Sequence, residues 1–292
     1  MANVTLPQRL MAKSLVRLRK SAGLSRDAAA KRVQIGSQTL WRWETGRGGS
    51  LPKRAFIDAL CRLYGAPPEV QEALLALTEE AHDTAWWHRY TKAISDDFDF
   101  FLAFEGSASE MWTYQASLLP GLLQTAEYRR AMIGPEALGA SPSVTRQWIE
   151  LTARRQERLG EDGFAVHAVM PESVLHYPIG GSAVMSAQLE KLAETCELSG
   201  VSVRIVPWSV GGHAGLTTGS FVLFDFPPQR LAWMNEDPMV YIEQRASDLY
   251  LGDADAVEQY RSLYGAIEAV ALPEDESRQL ILKIAEEFAR DR

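Results

Sequence analysis

Residues 34–46 read QIGSQTLWRWETG. Leu40 and Trp43 are large apolar residues three apart, so they share one face of a helix. Gln38 and Arg42 fall on the opposite face, with Ser37, Thr39 and Trp41 on the flanks. Gly46 supplies the residue best able to turn left-handed and stop the helix. Just upstream, Ser25 to Val33 predicts a second short helix, separated by Gln34, Ile35 and Gly36. Two short helices joined by a turn of about three residues, the second with an apolar back and a hydrogen-bonding front, predict a helix-turn-helix reader of double-stranded DNA.

Outward from this stretch, Leu6, Leu10, Leu15 and Leu18 mark the buried side of a first helix. Arg9, Lys13, Arg17 and Lys20 form its basic side, and Gly23 closes it. Ser25 is a good N-cap for RDAAAKRV, whose alanines permit close packing. Pro52 suits the first turn of a fourth helix burying Phe56, Ile57, Leu60 and Leu63, with Gly65 as its stop. A fifth helix runs from Pro68 to about Ala81. This outlines a five-helix domain over residues 1–82.

The charge distribution agrees. The chain of 292 residues carries a net charge of -8, which taken whole argues against nucleic acid. Residues 1–65, however, hold 13 Lys and Arg against 3 Asp and Glu, and the remainder 17 against 35. A basic head on an acidic body places phosphate contact in the head alone; the bland alternative is drift between two domains.

Within the head, Gln38 and Arg42 are the candidates for base edges, because glutamine pairs with adenine and arginine with guanine in the major groove. Trp41 has two readings, a cover for a thymine methyl or a packing partner of Trp43. Arg17, Arg26, Arg47 and Lys53 are candidates for phosphate, which positions a protein without reading sequence. Arg19 and Glu44 are expected to form a buried or half-buried ion pair tying the first helix to the end of the third.

Arg19, GLS at 23–25, the QTLWRWETG run and Glu44 resemble the Xre/Cro-like helix-turn-helix repressors. The resemblance implies that Ser37, Gln38 and Arg42 occupy base-reading positions. Two departures stand out. Arg26 replaces the usual Gln that opens the second helix, which shifts that contact toward phosphate. Gly36 replaces Ser or Thr as the N-cap of the reading helix, a loss of only a few tenths of a kcal/mol.

Beyond Thr84 the texture changes. Trp86, Trp87 and Tyr90 open an aromatic run, and Phe98, Phe101 and Phe104 at three-residue spacing predict a helix face in the core. LLPGLLQTAEYRRAM reads as a Pro-Gly turn into a helix, and residues 143–159 as a charged amphipathic helix carrying Arg154, Arg155 and Arg158. Alternation in FAVHAVM from Phe164, in VSVRIVPW and in SFVLFDF predicts strands around a helix at roughly 182–198. WMNEDPMVYIE adds a further strand or two, and helices at 253–270 and 274–290 close the chain. The fold class is therefore mainly α with α+β: residues 83–292 form an α+β domain with a mixed or antiparallel sheet and C-terminal helices.

Chemistry-bearing patterns are sparse here. His82, His88, His167, His176 and His213 are too scattered for a helix-borne metal motif. Neither a nucleophile elbow nor a phosphate loop of the Walker type occurs. Gly180-Gly181-Ser182 reads as a loop and N-cap, with an anion cradle as the sharper alternative. The glycine-rich loop from Gly211 to Gly219 is a lid or a long hairpin, and Glu172, Asp225 and Glu243 show no visible pairing. Cys61 and Cys196 offer no disulfide framework or metal spacing. No stretch approaches ~18 uninterrupted apolar residues. The expectation is a cytoplasmic, reduced, non-enzymatic protein without cofactor or metal.

The segments WWHRY, LLPGLLQTAEYRRAM, ARRQERL, PESVLHYPIGG, VSVRIVPWSVGGHAGLTTGSFVLFDFP and MVYIEQ, in this order, resemble the second domain of WhiJ-type actinobacterial regulators. That resemblance implies a transcriptional regulator, often encoded beside a small acidic partner protein, and leaves open whether the second domain senses a metabolite, binds that partner or only dimerises. A homodimer is expected on separate grounds, because a head of this size seldom binds tightly enough alone. The acidic second domain is then expected to hold the dimer and take a small-molecule or partner-protein signal. Trp86, Trp87, Trp112 and Trp208 leave room for an apolar pocket or partner groove. The alternative is an antitoxin-like interaction protein that sequesters its partner and binds DNA for autoregulation.

Overall fold

The structure, a computed structural model, describes residues 5–46, 51–83, 87, 90, 96–136, 141–229, 231–244 and 248–291. Arg47, Trp86 and His88, named above, lie outside the described residues, as does the side chain of Leu6. The chain divides into two units, Met1–Ser107 with Phe226–Asp237, and Ala108–Asp225 with Pro238–Arg292.

The first unit opens with α1 (Leu6–Ser21), α2 (Arg26–Arg32), α3 (Ser37–Thr45), α4 (Arg54–Tyr64) and α5 (Pro68–Asp83), followed by α6 (Asp96–Ser107). Local chemistry sets the boundaries. Thr5 and Gln8 form a capping box at the start of α1, each side chain accepting from the other's backbone N–H, at 3.4 and 3.0 Å. Ser25 caps α2 by accepting from Ala28 N at 3.2 Å. Gly46 and Gly65 end α3 and α4 at φ 65°, in the left-handed region where a side chain is strained. In the turn between α2 and α3, Gln34 takes a φ of 57°.

Leu10, Leu15, Ala29, Ala30, Leu40, Trp43, Ile57, Leu60, Cys61 and Leu74 form the core of this unit. Fully burying a side chain such as Leu40 contributes roughly 1.5–3 kcal/mol. Met234, from much later in the chain, belongs to the same cluster, with Phe226, Leu231 and Trp233 packed on it. WMNED therefore does not begin a strand. Residues Ala232–Met234 make a 3-10 turn, and Met234 spends its apolar side chain on the core of the helical head.

The second unit carries α7 (Ala126–Glu136), α8 (Pro142–Gln156), α9 (Ser173–His176), α10 (Ser182–Thr195), α11 (Gly215–Thr218), α12 (Ala254–Glu268) and α13 (Glu274–Arg290). Its strands are β1 (Glu110–Tyr114), β2 (Ala165–Pro171), β3 (Val201–Val206), β4 (Phe221–Asp225), β5 (Met239–Ile242) and β6 (Leu249–Leu251). They form one mixed sheet in the order β3-β2-β1-β4-β5-β6. The β1–β2 and β2–β3 pairs are parallel, and the β1–β4, β4–β5 and β5–β6 pairs antiparallel.

Register follows the two-residue alternation. Tyr114, Val169, Phe221, Leu223 and Val240 meet Val257, Tyr264 and Ile267 of α12 on one face. Ala168, Met170, Val201, Val203 and Ile205 meet α10 and α13 on the other. The Phe98, Phe101, Phe104 spacing does mark a helix, but it ends at Ser107. Glu110–Tyr114, which the sequence reading leaves inside the aromatic run, is a strand lying between β2 and β4.

Candidate nucleic-acid interface

Helix α3 is built to present one face. Leu40, Trp43 and Glu44 are buried, and the Trp43 ring lies 5.6 Å from that of Phe56. Gln38 and Arg42 are exposed, and Thr39 and Trp41 half-buried. Ser37 at the start of α3 donates its hydroxyl to Asp27 of α2, locking the two helices of the motif together. Thr45 donates to the carbonyl of Trp41 at 2.7 Å and stiffens the last turn.

Beneath this face, the Glu44 carboxylate accepts from Arg19 Nε at 2.5 Å and Nη2 at 3.0 Å, while Arg19 Nη1 reaches the Leu24 carbonyl at 2.9 Å. The Glu44 side chain is fully buried. Its hydrogen bond holds the Arg19 guanidinium above the ordinary arginine value, against the opposing effect of burial. Arg26, a phosphate candidate from sequence, also donates to Glu44, from Nε at 3.0 Å. Its side chain remains 38% exposed, and α1, α2 and α3 meet at one carboxylate.

Of the other phosphate candidates, Lys53 is exposed at the N-cap of α4. Arg17 lies over the Trp233 ring at 4.5 Å. An open groove of about 680 Å³ runs along α1 beside the end of α3, lined by Arg9, Lys13, Val16, Arg17, Lys20 and Thr45 among others. Sequence reasoning assigned no partner to Arg9 and Lys13. Both bind Glu236, at 2.7 and 2.8 Å. The only signal for this was the acidic pair at 236–237 in an apolar stretch.

In the second unit, Asp225 finds the partners that the sequence did not show. It accepts from Arg261 at 2.6 and 3.1 Å and from Trp112 Nε1 at 3.1 Å. The Trp112 ring stacks on His167 at 3.9 Å. Burial holds His167 below the ordinary histidine value, with Glu110, Glu268 and Glu274 opposing. Glu172 accepts from the backbone N–H of Trp208 at 2.9 Å, and His176 stacks on that ring. Gly181 occupies the N-cap of α10. Arg155 is buried, and Arg158 covers Phe164 at 3.9 Å while donating to the Ala108 carbonyl. Two of the three arginines on the charged helix at 143–159 are thus held by contacts within the unit. Among the four tryptophans expected near a pocket, Trp87 is buried, Trp112 half-buried and Trp208 60% exposed. Among the described residues, no group of three or more His, Cys, Asp or Glu is placed to hold a metal ion. No described helix is long and apolar enough to cross a membrane.

A helix-turn-helix domain family matches residues 11–74, which span most of α1 through the first half of α5. A second family, described as Domain of unknown function (DUF5753), matches residues 98–283, more than half of the chain. The chain belongs to the DUF5753 family. No curated protein and no solved structure matches it. In this DUF5753 member the matched segment includes most of α6 and residues 226–237, which fold with the helical head. The protein is thus a helix-turn-helix protein whose DUF5753 portion contributes to the core of the DNA-binding-type domain.

Proposed function

We propose that the protein is a sequence-specific DNA-binding transcriptional regulator of the Xre/Cro-like type, acting by binding rather than catalysis. The observation that carries this reading is the split of α3, with Gln38 and Arg42 exposed over a back of Leu40, Trp43 and Glu44 anchored to α1. A helix held this rigidly can enter a major groove with its front residues at base edges, each worth ~1–3 kcal/mol of discrimination. Lys53 supplies a phosphate contact at the start of α4, while Arg26 is engaged by Glu44. The regulator acts as a homodimer, since two half-sites a helical turn apart provide the affinity that a single head of this size lacks. The WhiJ-like second domain takes a small-molecule effector or partner protein.

The test is fluorescence anisotropy of the full chain on DNA from upstream of its own gene, beside scrambled DNA, for wild type and a Gln38→Ala/Arg42→Ala variant. The expected result is a preference for the upstream DNA that the double variant loses, with the fold intact by circular dichroism. A preference that survives the double substitution refutes the assignment of α3 as the reader.

A further inference from the structure

The basic face of α1 is not bare. Arg9, Lys13, Arg17 and Lys20 recur at helical spacing along about 16 Å of helix, beside the end of α3. The strap Phe226–Asp237 occupies three of these four. Glu236, its side chain only 3% exposed, binds Arg9 and Lys13. Trp233 lies under the Arg17 guanidinium at 4.5 Å. Apolar contacts already anchor the strap: Met234 is 2% exposed in the head's core, and Phe226 meets Phe104 at 5.9 Å. Its backbone closes on itself through Met234 N to Leu231 O at 2.8 Å, and Asn235 accepts from Gln229 N at 2.8 Å.

A buried carboxylate is a weak way to add stability, because its desolvation offsets most of the attraction to its partners. An apolar side chain at 236 would serve anchoring as well. What the carboxylate does change is the availability of the cations. An arginine or lysine already neutralised at 2.7–2.8 Å gains little from a phosphate.

We propose that the strap is an electrostatic mask, in which Glu236 and Trp233 withhold Arg9, Lys13 and Arg17 from DNA phosphate, so that releasing it raises the head's affinity for DNA. This rests on the DNA-binding reading above. The strap begins immediately after Asp225 of β4 and ends just before β5, so both its ends continue into the sheet of the second unit. Asp225 itself is clamped by Arg261 and Trp112. An effector that moves the β4 and β5 ends has a covalent route to the mask.

The experiment compares the full chain with Glu236→Gln and with Asp237→Asn, which removes the same charge from an exposed neighbour. Binding to duplex DNA is measured from about 50 to about 200 mM salt. Each phosphate newly neutralised steepens the dependence of log K on log salt by about 0.9. Glu236→Gln is therefore expected to steepen the slope by about 1 to 2 and widen the affinity ratio across this range by up to roughly tenfold. Asp237→Asn leaves the slope unchanged. Arg9→Gln/Lys13→Gln is expected to be silent in the wild-type background and to abolish the gain of Glu236→Gln. This pair, with Trp233→Ala as a second unmasking variant, keeps the test decisive if Glu236→Gln folds poorly. Equal slopes for Glu236→Gln and Asp237→Asn, or a loss of slope on substituting Arg9 and Lys13 in wild type, overturn the mask and leave the DNA reading standing. A chain that binds no duplex DNA, with Glu236→Gln equally inert, overturns both.

Discussion

Replacing Glu44 with alanine removes the one carboxylate on which α1, α2 and α3 converge. Its side chain has no solvent contact, and that of Arg19 is only 11% exposed. After the substitution Arg19 keeps a single hydrogen bond, to the Leu24 carbonyl at 2.9 Å. Breaking a buried pair by removing one partner costs about 3–5 kcal/mol, because the remaining charge is left uncompensated. The Leu24 contact and the residual exposure of Arg19 place this case near the lower end, at about 3 kcal/mol. Arg26, more exposed, adds little, about 1 kcal/mol or less. For a domain of this size each kcal/mol moves the melting temperature by about 4–8 °C, so the head's transition should fall by roughly 12–24 °C. Hydrogen exchange on the full chain isolates this effect, since core amides of α1 and α3 should lose about two orders of magnitude of protection while those of β2 and β3 stay unchanged. The paired replacement Arg19→Met/Glu44→Leu, which leaves no orphaned charge, should recover most of the loss. A Glu44→Ala protein with unaltered protection in α1 and α3, or a paired variant no better than the single one, would refute the reasoning.

Two further outcomes follow from the packing. A Cβ on Gly215 would sit 2.4 Å from the ring end of Tyr114, a side chain 1% exposed. Gly215→Ala should therefore cost about 1–3 kcal/mol and lower the urea midpoint followed by near-ultraviolet circular dichroism; an unchanged midpoint would show that the loop gives way freely. Burial pushes the Cys61 thiol up from its ordinary value to about 11. At pH 8 it should resist Ellman's reagent until the protein unfolds, and immediate labelling in the native state would contradict this. Because the folded-state value is the raised one, the associated stability is fully present below about pH 9 and is lost as the pH climbs toward 11.

The helix-turn-helix was legible because its determinants are local. Ser25, Gly46 and Gly65 act on backbone groups within a few residues, and the spacing of Leu40 and Trp43 declares a buried face without reference to anything distant. The front of α3 could be read from the same helix. The sheet was legible where alternation or a short apolar run marks a strand, as in FAVHAVM, VSVRIVPW and SFVLFDF. Glu110–Tyr114 was not, because five residues beside an aromatic helix carry too little periodicity. Their strand character comes from pairing with Ala165–Val169 and Phe221–Asp225, far away in the chain.

What the sequence by itself determined is thus the helical head, its basic charge, the residues on the exposed face of α3 and the α+β character of the remainder. These follow from short-range spacing, capping and net charge, which any folded arrangement must respect. Only the tertiary structure decided which charges are available. Arg26 was drawn to Glu44, Arg9 and Lys13 to Glu236, and Arg17 onto Trp233. It also decided that Met234 completes a core whose other buried members run from Leu10 to Leu77, and that Lys13 meets Glu236 across 223 positions. An ion pair or an apolar contact depends on separation in space, and at such chain distances no periodicity in the sequence encodes it.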